Sequence, residues 1–270
     1  MITELWKGLQ RALWDRPFNA GHHIHERYQI QEVLGMGSYG ITYLAFDRHT
    51  DEMIVLKQLR NTKAKTTSGL LSFQRESQIL GALQKHPVPK LLNTFQDEQG
   101  HFIAMEWIKG ETFEDLIFRD NQTYNEKETI AILLELLNIT GRFHEKGIIH
   151  RDLRIPNIIQ RDKELIVIDF GLACYLSDKN REIEDPHDHP EKLRMRAVKV
   201  ESDLFALGHF ALFLLYSSYK PQLKKELSWE EELDISRSFK YVLRKMLQLD
   251  EPFHSTTDVQ KALRSIKKAR

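Results

Sequence analysis

Two regimes of hydrophobic patterning meet near Lys109-Gly110 in this 270-residue chain, and that boundary narrows the folds open to it. Before it, short β-branched and aromatic runs alternate with turn residues. Tyr28 to Leu34 reads as a strand, Ile41 to Phe46 as a second, and Met53 to Leu59 as a third after the turn Asp47 to Asp51. Lys90 to Gln96 and His101 to Trp107 read as two more, joined by Asp97-Glu98-Gln99-Gly100. Leu70 to Leu83 has helical spacing instead, with Leu71, Ile79, Leu80 and Leu83 recurring. His86-Pro87-Val88-Pro89 then breaks the chain. Beyond Thr112 the pattern is largely helical. Thr129 to His144 is amphipathic and ends near Gly147, while Ser202 to Ser217 is apolar nearly all round, as a buried central helix is. Phe239 to Leu249 and Thr257 to Lys268 give two further helices, and Leu165 to Ile168 is a short apolar strand entering a loop. At roughly 150 residues per domain this predicts one large domain or two lobes sharing a site.

Residues 1–27 stand apart. Ile2, Leu5, Trp6, Leu9, Leu13 and Trp14 fall mostly on one side of a helix, with Lys7, Arg11 and Asp15 interspersed. The expectation is an amphipathic helix packed on the body of the protein, with a partner or a membrane surface as the alternatives. Pro17 ends it, and Phe18, Asn19 and Gly21 follow as a turn.

Composition removes several function classes. Lys+Arg and Asp+Glu are equal at 39 each, without the basic excess of a nucleic-acid binder, so no nucleic-acid partner is expected. The lone Cys174 can form neither an internal disulfide nor a cysteine zinc site. The most apolar stretch, Leu204 to Tyr216, is too short to span a bilayer, and MITELWKGLQRALWDR makes a poor signal peptide. A cytoplasmic setting is expected.

Gly35-Met36-Gly37-Ser38-Tyr39-Gly40 matches G-x-G-x-x-G. The β-rich Ile41-Thr42-Tyr43-Leu44 follows, so the loop joins two strands rather than opening a helix. Glycines let backbone N–H groups approach phosphates, and they also make plain tight turns; the loop alone does not choose. Lys57 lies 17 residues after Gly40, and Glu76 lies 19 residues after Lys57. Taken singly, one is an ordinary strand lysine and the other an ordinary helix glutamate. His150-Arg151-Asp152-Leu153-Arg154-Ile155-Pro156-Asn157 then precedes Val167-Ile168-Asp169-Phe170-Gly171.

With this ordered set the sequence resembles the eukaryotic-type (Hanks-type) serine/threonine protein kinase family, in the compact form of its bacterial members. The resemblance covers roughly residues 28–268. It implies an α+β, two-lobed fold: a small antiparallel-sheet N-lobe with one main helix over 28–108, and a larger helical C-lobe over 109–270. It also implies ATP and Mg²⁺, with Mn²⁺ as the alternative ion, and a protein substrate whose identity it does not give. Gly35, Gly37 and Gly40 would cover the phosphates, with Thr42 on the following strand. Lys57, held by Glu76, would contact the α and β phosphates, and Asp152 would accept the substrate hydroxyl proton. Arg154 stands where serine/threonine kinases usually carry Lys and would reach the γ phosphate. Asn157 and Asp169 would hold the metal. Val55 and Ile159 would form the roof and floor for adenine, Met105 the gatekeeper, and Glu106, Trp107 and Ile108 the hinge. Leu80, Leu91, His150 and Phe170 would form a stacked spine, and Asp203 would brace the catalytic-loop backbone.

The chain departs from the family pattern in places. Val55 replaces the usual Ala above adenine and could crowd the ring. Thr42 replaces the usual Val. His189-Pro190-Glu191 stands for Ala-Pro-Glu, and the position of the usual substrate-loop Thr falls near Glu184. Tyr175 and Ser177 are the only hydroxyls from Gly171 to Glu191, so Arg151 lacks an evident phosphorylated partner and mid-loop phosphorylation is not expected to switch the protein. The run Glu182 to Glu191 reads as a solvated loop or a substrate platform, with a metal site at His187 and His189 as a minor alternative. His254 occupies the place of the Arg that usually pairs with the motif's glutamate, so a pH-sensitive His254–Glu191 pair is expected. The leading expectation is phosphoryl transfer from ATP to protein Ser/Thr. A kinase-fold phosphotransferase acting on a small molecule and a non-catalytic kinase-like interaction module are the alternatives.

Overall fold

The computed structural model describes residues 15–178, 189–220 and 227–268. It divides into two compact units. The first takes in the described residues up to Gln84 together with Val88–Ile108; the second takes in Lys85–Pro87 and the described residues from Lys109 onward.

The first unit is an antiparallel six-stranded sheet. Its strands are β1 (His23–Ile24), β2 (Tyr28–Met36), β3 (Gly40–Asp47), β4 (Glu52–Leu59), β5 (Leu91–Asp97) and β6 (Gly100–Glu106), in the order β1-β2-β3-β4-β6-β5. Alternation gives the sheet two faces. One face buries Tyr28, Ile30, Ile41, Tyr43, Ala45, Ile54, Leu56, Phe102 and Ala104, closed by Ile24, Phe18 and Phe95. The other carries Thr42, Val55, Lys57, Ile103 and Met105, brought level by the register pairs Thr42–Lys57, Lys57–Ile103 and Val55–Met105.

The helix expected over 70–83 is Thr67–Ala82, preceded by the single turn α1 (Asn61–Ala64) and designated α2. Thr66 caps it, its hydroxyl accepting the Gly69 N–H at 3.1 Å. Its buried face runs through Phe73, Glu76, Ile79 and Leu80. Leu71, expected on that face, points outward, because the spacing set by Phe73 places it on the opposite side. Residues 1–14, which carry most of the expected amphipathic helix, lie outside the described residues. The described part of the 1–27 segment is not helical. It turns through Phe18 to Gly21 and then pairs as β1 with β2, His23 opposite Gln29 and Ile24 opposite Tyr28.

The second unit is mainly helical. Helix α3 (Phe113–Phe118) follows β7 (Glu111–Thr112), and α4 (Glu126–Glu145) starts at a capping box formed by Asn125 and Glu128. After α5 (Pro190–Arg196) comes α6 (Val200–Tyr216), where every residue from Ser202 to Gly208 is buried, which is why its sequence shows no polar face. A Cβ at Gly208 would lie 3.1 Å from Leu247 Cδ2 and 3.2 Å from Met246 Cβ, so glycine sets how closely α8 (Arg237–Met246) approaches. The short helix α7 (Trp229–Glu232) precedes α8, and α9 (Thr256–Lys268) packs on α4. In two small sheets only the strand expected over 165–168 was legible in the sequence; their other strands are two to four residues long. β9 (Ile158–Arg161) pairs with β7 and with β10 (Glu164–Val167), while β8 (Ile148–Ile149) pairs with β11 (Cys174–Tyr175). Among the described residues no helix is long and apolar enough to cross a membrane.

Candidate active site

In the first unit, the glycine loop closes as a hairpin in which Gly37 N–H donates to the Gly40 carbonyl at 2.9 Å. Only Gly40 is sterically required. A Cβ there would lie 2.8 Å from the Gln58 carbonyl and 3.4 Å from Lys57 Cε, whereas one at Gly35 would meet nothing within 4 Å. Lys57 is set on β4 beside that glycine, and its Nζ lies 2.6 Å from Glu76 Oε1 on α2. Both side chains are nearly buried, which explains a glutamate on the apolar face of a helix: a buried charge is tolerated when paired. Val55 is half-buried opposite Met105, itself buried. After β6, Trp107 is partly exposed and Ile108 buried, while the Glu106 N–H donates to the Lys90 carbonyl at 2.8 Å.

The second unit holds the other polar motifs on one tightly bonded loop. Asp203, at the head of α6, has no exposure and accepts the backbone N–H of His150 at 3.0 Å and of Arg151 at 2.8 Å. His144 adds a third contact at 2.9 Å. Burial alone would raise the Asp203 pKa, but His144, His150 and these bonds outweigh it and hold the carboxylate below its ordinary range. Arg151 adopts φ 67° and Asp169 φ 58°, a left-handed backbone that non-glycine residues keep only where surrounding bonds impose it.

Asp152 is held from two sides. Arg154 Nε donates to Oδ1 at 2.5 Å and its Nη2 to Oδ2 at 3.1 Å. Asn157 Nδ2 donates to Oδ2 at 2.7 Å and to the Asp152 carbonyl at 2.9 Å. Pairing with Asp152 raises the Arg154 pKa, so this guanidinium stays charged. Because both Asn157 bonds leave from nitrogen, the carboxamide oxygen is its remaining acceptor. That oxygen and the Asp169 carboxylate are hard donors suited to Mg²⁺, which takes one or two protein oxygens and completes its shell with phosphates and water. Ile159, on β9, is buried in this unit.

His150 is wholly buried against Phe170, ring centroids 4.7 Å apart. Its Nδ1 accepts the Asp152 N–H at 3.3 Å and its Nε2 faces the Ile168 carbonyl at 3.2 Å, which assigns the proton to Nε2. Burial depresses its pKa, against the opposing pull of Asp203, Asp152 and Asp169. The unfolded chain therefore takes up a proton near the ordinary histidine value that the folded chain refuses. This contribution to stability is complete above about pH 6.5 and is lost as pH falls below it. Denaturation at about pH 7.5 and about pH 5.5 should show the loss, and His150→Phe should make the slope shallower. An unchanged slope in the variant contradicts the assignment.

Three further features lay beyond the sequence reading. One is the His144 contact to Asp203, whose only sequence signal is a histidine in the last turn of a helix just before the loop. Arg151 bonds backbone carbonyls: its Nε donates to the Arg196 carbonyl and its Nη1 to the Leu172 carbonyl at 3.3 Å. His254 does not pair with Glu191. Its Nδ1 lies 2.8 Å from Glu201 Oε1, because Glu201 occupies the first turn of α6 beside it. Glu191 is exposed, and its charge acts on His209. The stretch 179–188, with Glu184 and His187, lies outside the described residues, so the metal alternative at His187 and His189 lies partly outside them too.

Comparison with known proteins gives a consistent result. The family model described as Protein kinase domain matches residues 28–265. The chain is 35% identical over 257 residues to the probable serine/threonine-protein kinase YbdM of Bacillus subtilis (strain 168), covering 95% of this chain and 96% of that one. It is 31% identical over 253 residues to serine/threonine-protein kinase B of Synechocystis, but spans only 44% of that longer protein. The PknI kinase domain of Mycobacterium tuberculosis superposes with a TM-score of 0.69 over 93% of this chain and 99% of that one, at 19% identity, a likeness of fold. With buried Lys57–Glu76 in one unit, the Asp203-braced loop in the other, and the family match spanning both, the chain belongs to the protein kinase family.

Proposed function

We propose that this chain transfers the γ-phosphoryl group of ATP to serine or threonine hydroxyls of protein substrates. The observation that carries the reading is the Asp152 carboxylate, oriented by Asn157 and Arg154 on a loop braced through Asp203. The similarity to YbdM and to the Synechocystis relative, both named serine/threonine-protein kinases, supports the Ser/Thr specificity.

The roles divide by chemistry. The glycine-loop N–H groups and Lys57 hold phosphate oxygens; an ammonium has three donors, so Lys57 can keep Glu76 and still bind them. Val55, Met105 and Ile159 contact adenine, and the backbone of Glu106 to Ile108 bonds its edge. Asp152 accepts the hydroxyl proton and aims the oxygen at the γ phosphorus. Arg154 keeps positive charge beside the transferring group. Asn157 and Asp169 would hold Mg²⁺, which when bound neutralises charge on the phosphates.

The test is incubation with γ-labelled MgATP and a generic protein substrate. Acid-stable label on serine or threonine is the expected result. Intact MgATP binding with no transfer to any protein, but transfer to a small hydroxyl compound, would overturn the protein-substrate reading.

A further inference from the structure

The polar network of the first unit extends upstream of the family match. Asp15 precedes residue 28, where that match begins, yet its side chain has no solvent exposure. A carboxylate so placed requires donors. Thr62 supplies two, its N–H to Oδ1 at 3.1 Å and its hydroxyl to Oδ2 at 2.6 Å. Arg60 supplies the charge, with Nη1 3.6 Å from Oδ2.

Arg60 also faces the glycine loop. Its Nε–H donates to the Gly37 carbonyl at 2.7 Å, and its backbone N–H donates to the Tyr39 carbonyl at 3.0 Å. One turn on, the Lys63 ammonium lies 4.7 Å from the Tyr39 ring centroid. Alternate carbonyls of the loop are therefore aimed at residues 60–63. A trans peptide is planar, with its N–H opposite its C=O. Fixing the carbonyls of Gly37 and Tyr39 thus turns the N–H groups of Ser38 and Gly40 the other way. Backbone N–H groups turned toward a common side offer a concavity for an anion. A loop with three glycines has many alternatives to this arrangement, and Arg60 selects one.

We propose that Asp15 is a positioning residue for nucleotide binding. By holding Arg60, it fixes the glycine-loop peptides so that the Ser38 and Gly40 N–H groups face the ATP phosphates. This rests on the reading of the chain as an ATP-dependent kinase. It places a determinant of ATP affinity in the segment before the kinase domain proper.

The test measures MgATP binding by calorimetry, together with steady-state kinetics, on the full chain. Asp15→Ala should weaken MgATP binding and raise KM for ATP about ten-fold, with kcat changed less than about two-fold and KM for the protein substrate unchanged. Arg60→Ala should do the same, and the double variant should add little further, since both act through one contact. Asp15→Asn keeps acceptor capacity toward Thr62 but loses the charge facing Arg60. It guards against a folding failure in the alanine variant and should also raise KM for ATP several-fold. A purely structural role would lower the melting temperature without this KM-specific pattern. Wild type that fails to bind MgATP overturns the kinase reading and this inference with it. Wild type that binds, with both Asp15 variants within about two-fold of it, overturns this inference alone, as does a fully additive double variant.

Discussion

Asp152→Asn should reduce phosphoryl transfer by about 10²–10⁴-fold while leaving MgATP binding close to that of wild type. The substitution is nearly isosteric. An amide oxygen can still accept from Asn157 or from Arg154, so the loop keeps much of its bonding. What disappears is the anionic acceptor for the hydroxyl proton. The nucleotide-binding roles belong to other residues, so a kcat loss without a matching loss of MgATP affinity is the signature. It is measured by single-turnover transfer from labelled ATP beside a binding titration. Turnover equal to that of wild type would remove Asp152 from its assigned role.

Asp203→Ala should lower stability by about 3–5 kcal/mol, the usual effect of breaking a buried charged network. The carboxylate receives two backbone N–H groups and His144 in a site with no exposure. Alanine would leave those donors facing a void, and a buried unsatisfied donor costs about 1–3 kcal/mol. The left-handed Arg151, φ 67°, would lose the bond that helps impose its conformation. Activity should fall with stability, because Asp152 is the next residue. Asp203→Asn retains one acceptor oxygen and should fall between. Chemical denaturation gives the comparison, and a loss below about 1 kcal/mol for the alanine variant would show that the loop is held elsewhere.

The elements with a long repeat were legible in the sequence. The strands Tyr28–Met36, Gly40–Asp47 and Glu52–Leu59 follow their alternation, and Glu126–Glu145 and Val200–Tyr216 follow their spacing and apolar content. Elements of two residues, such as β7, β8 and β11, were not legible, since a period cannot be read from less than one repeat. Leu71 lies off the buried face of α2, whose register Phe73 and Glu76 set, because a single leucine is as compatible with the surface as with the core. The polar motifs were visible as residue types in order. Their separations in space were not, and the expected His254–Glu191 pair shows the limit: the order of motifs does not say which of two glutamates, Glu191 or Glu201, comes within bonding distance.

By itself the sequence determined the family, the change from strand-rich to helix-rich halves, and the residue types available for chemistry. These are encoded in local periodicity and in short motifs whose members lie close along the chain. Only the tertiary structure decided that Asp15 meets Thr62 and Arg60, that Arg60 holds the glycine loop, that Arg151 is satisfied by backbone carbonyls, and that Glu76 is buried. Each of these depends on polar atoms approaching to about 3 Å across gaps of roughly twenty to fifty residues, and hydrogen-bond strength falls steeply with distance and angle. Local pattern specifies which faces are apolar; which donor meets which acceptor follows only once those faces are packed.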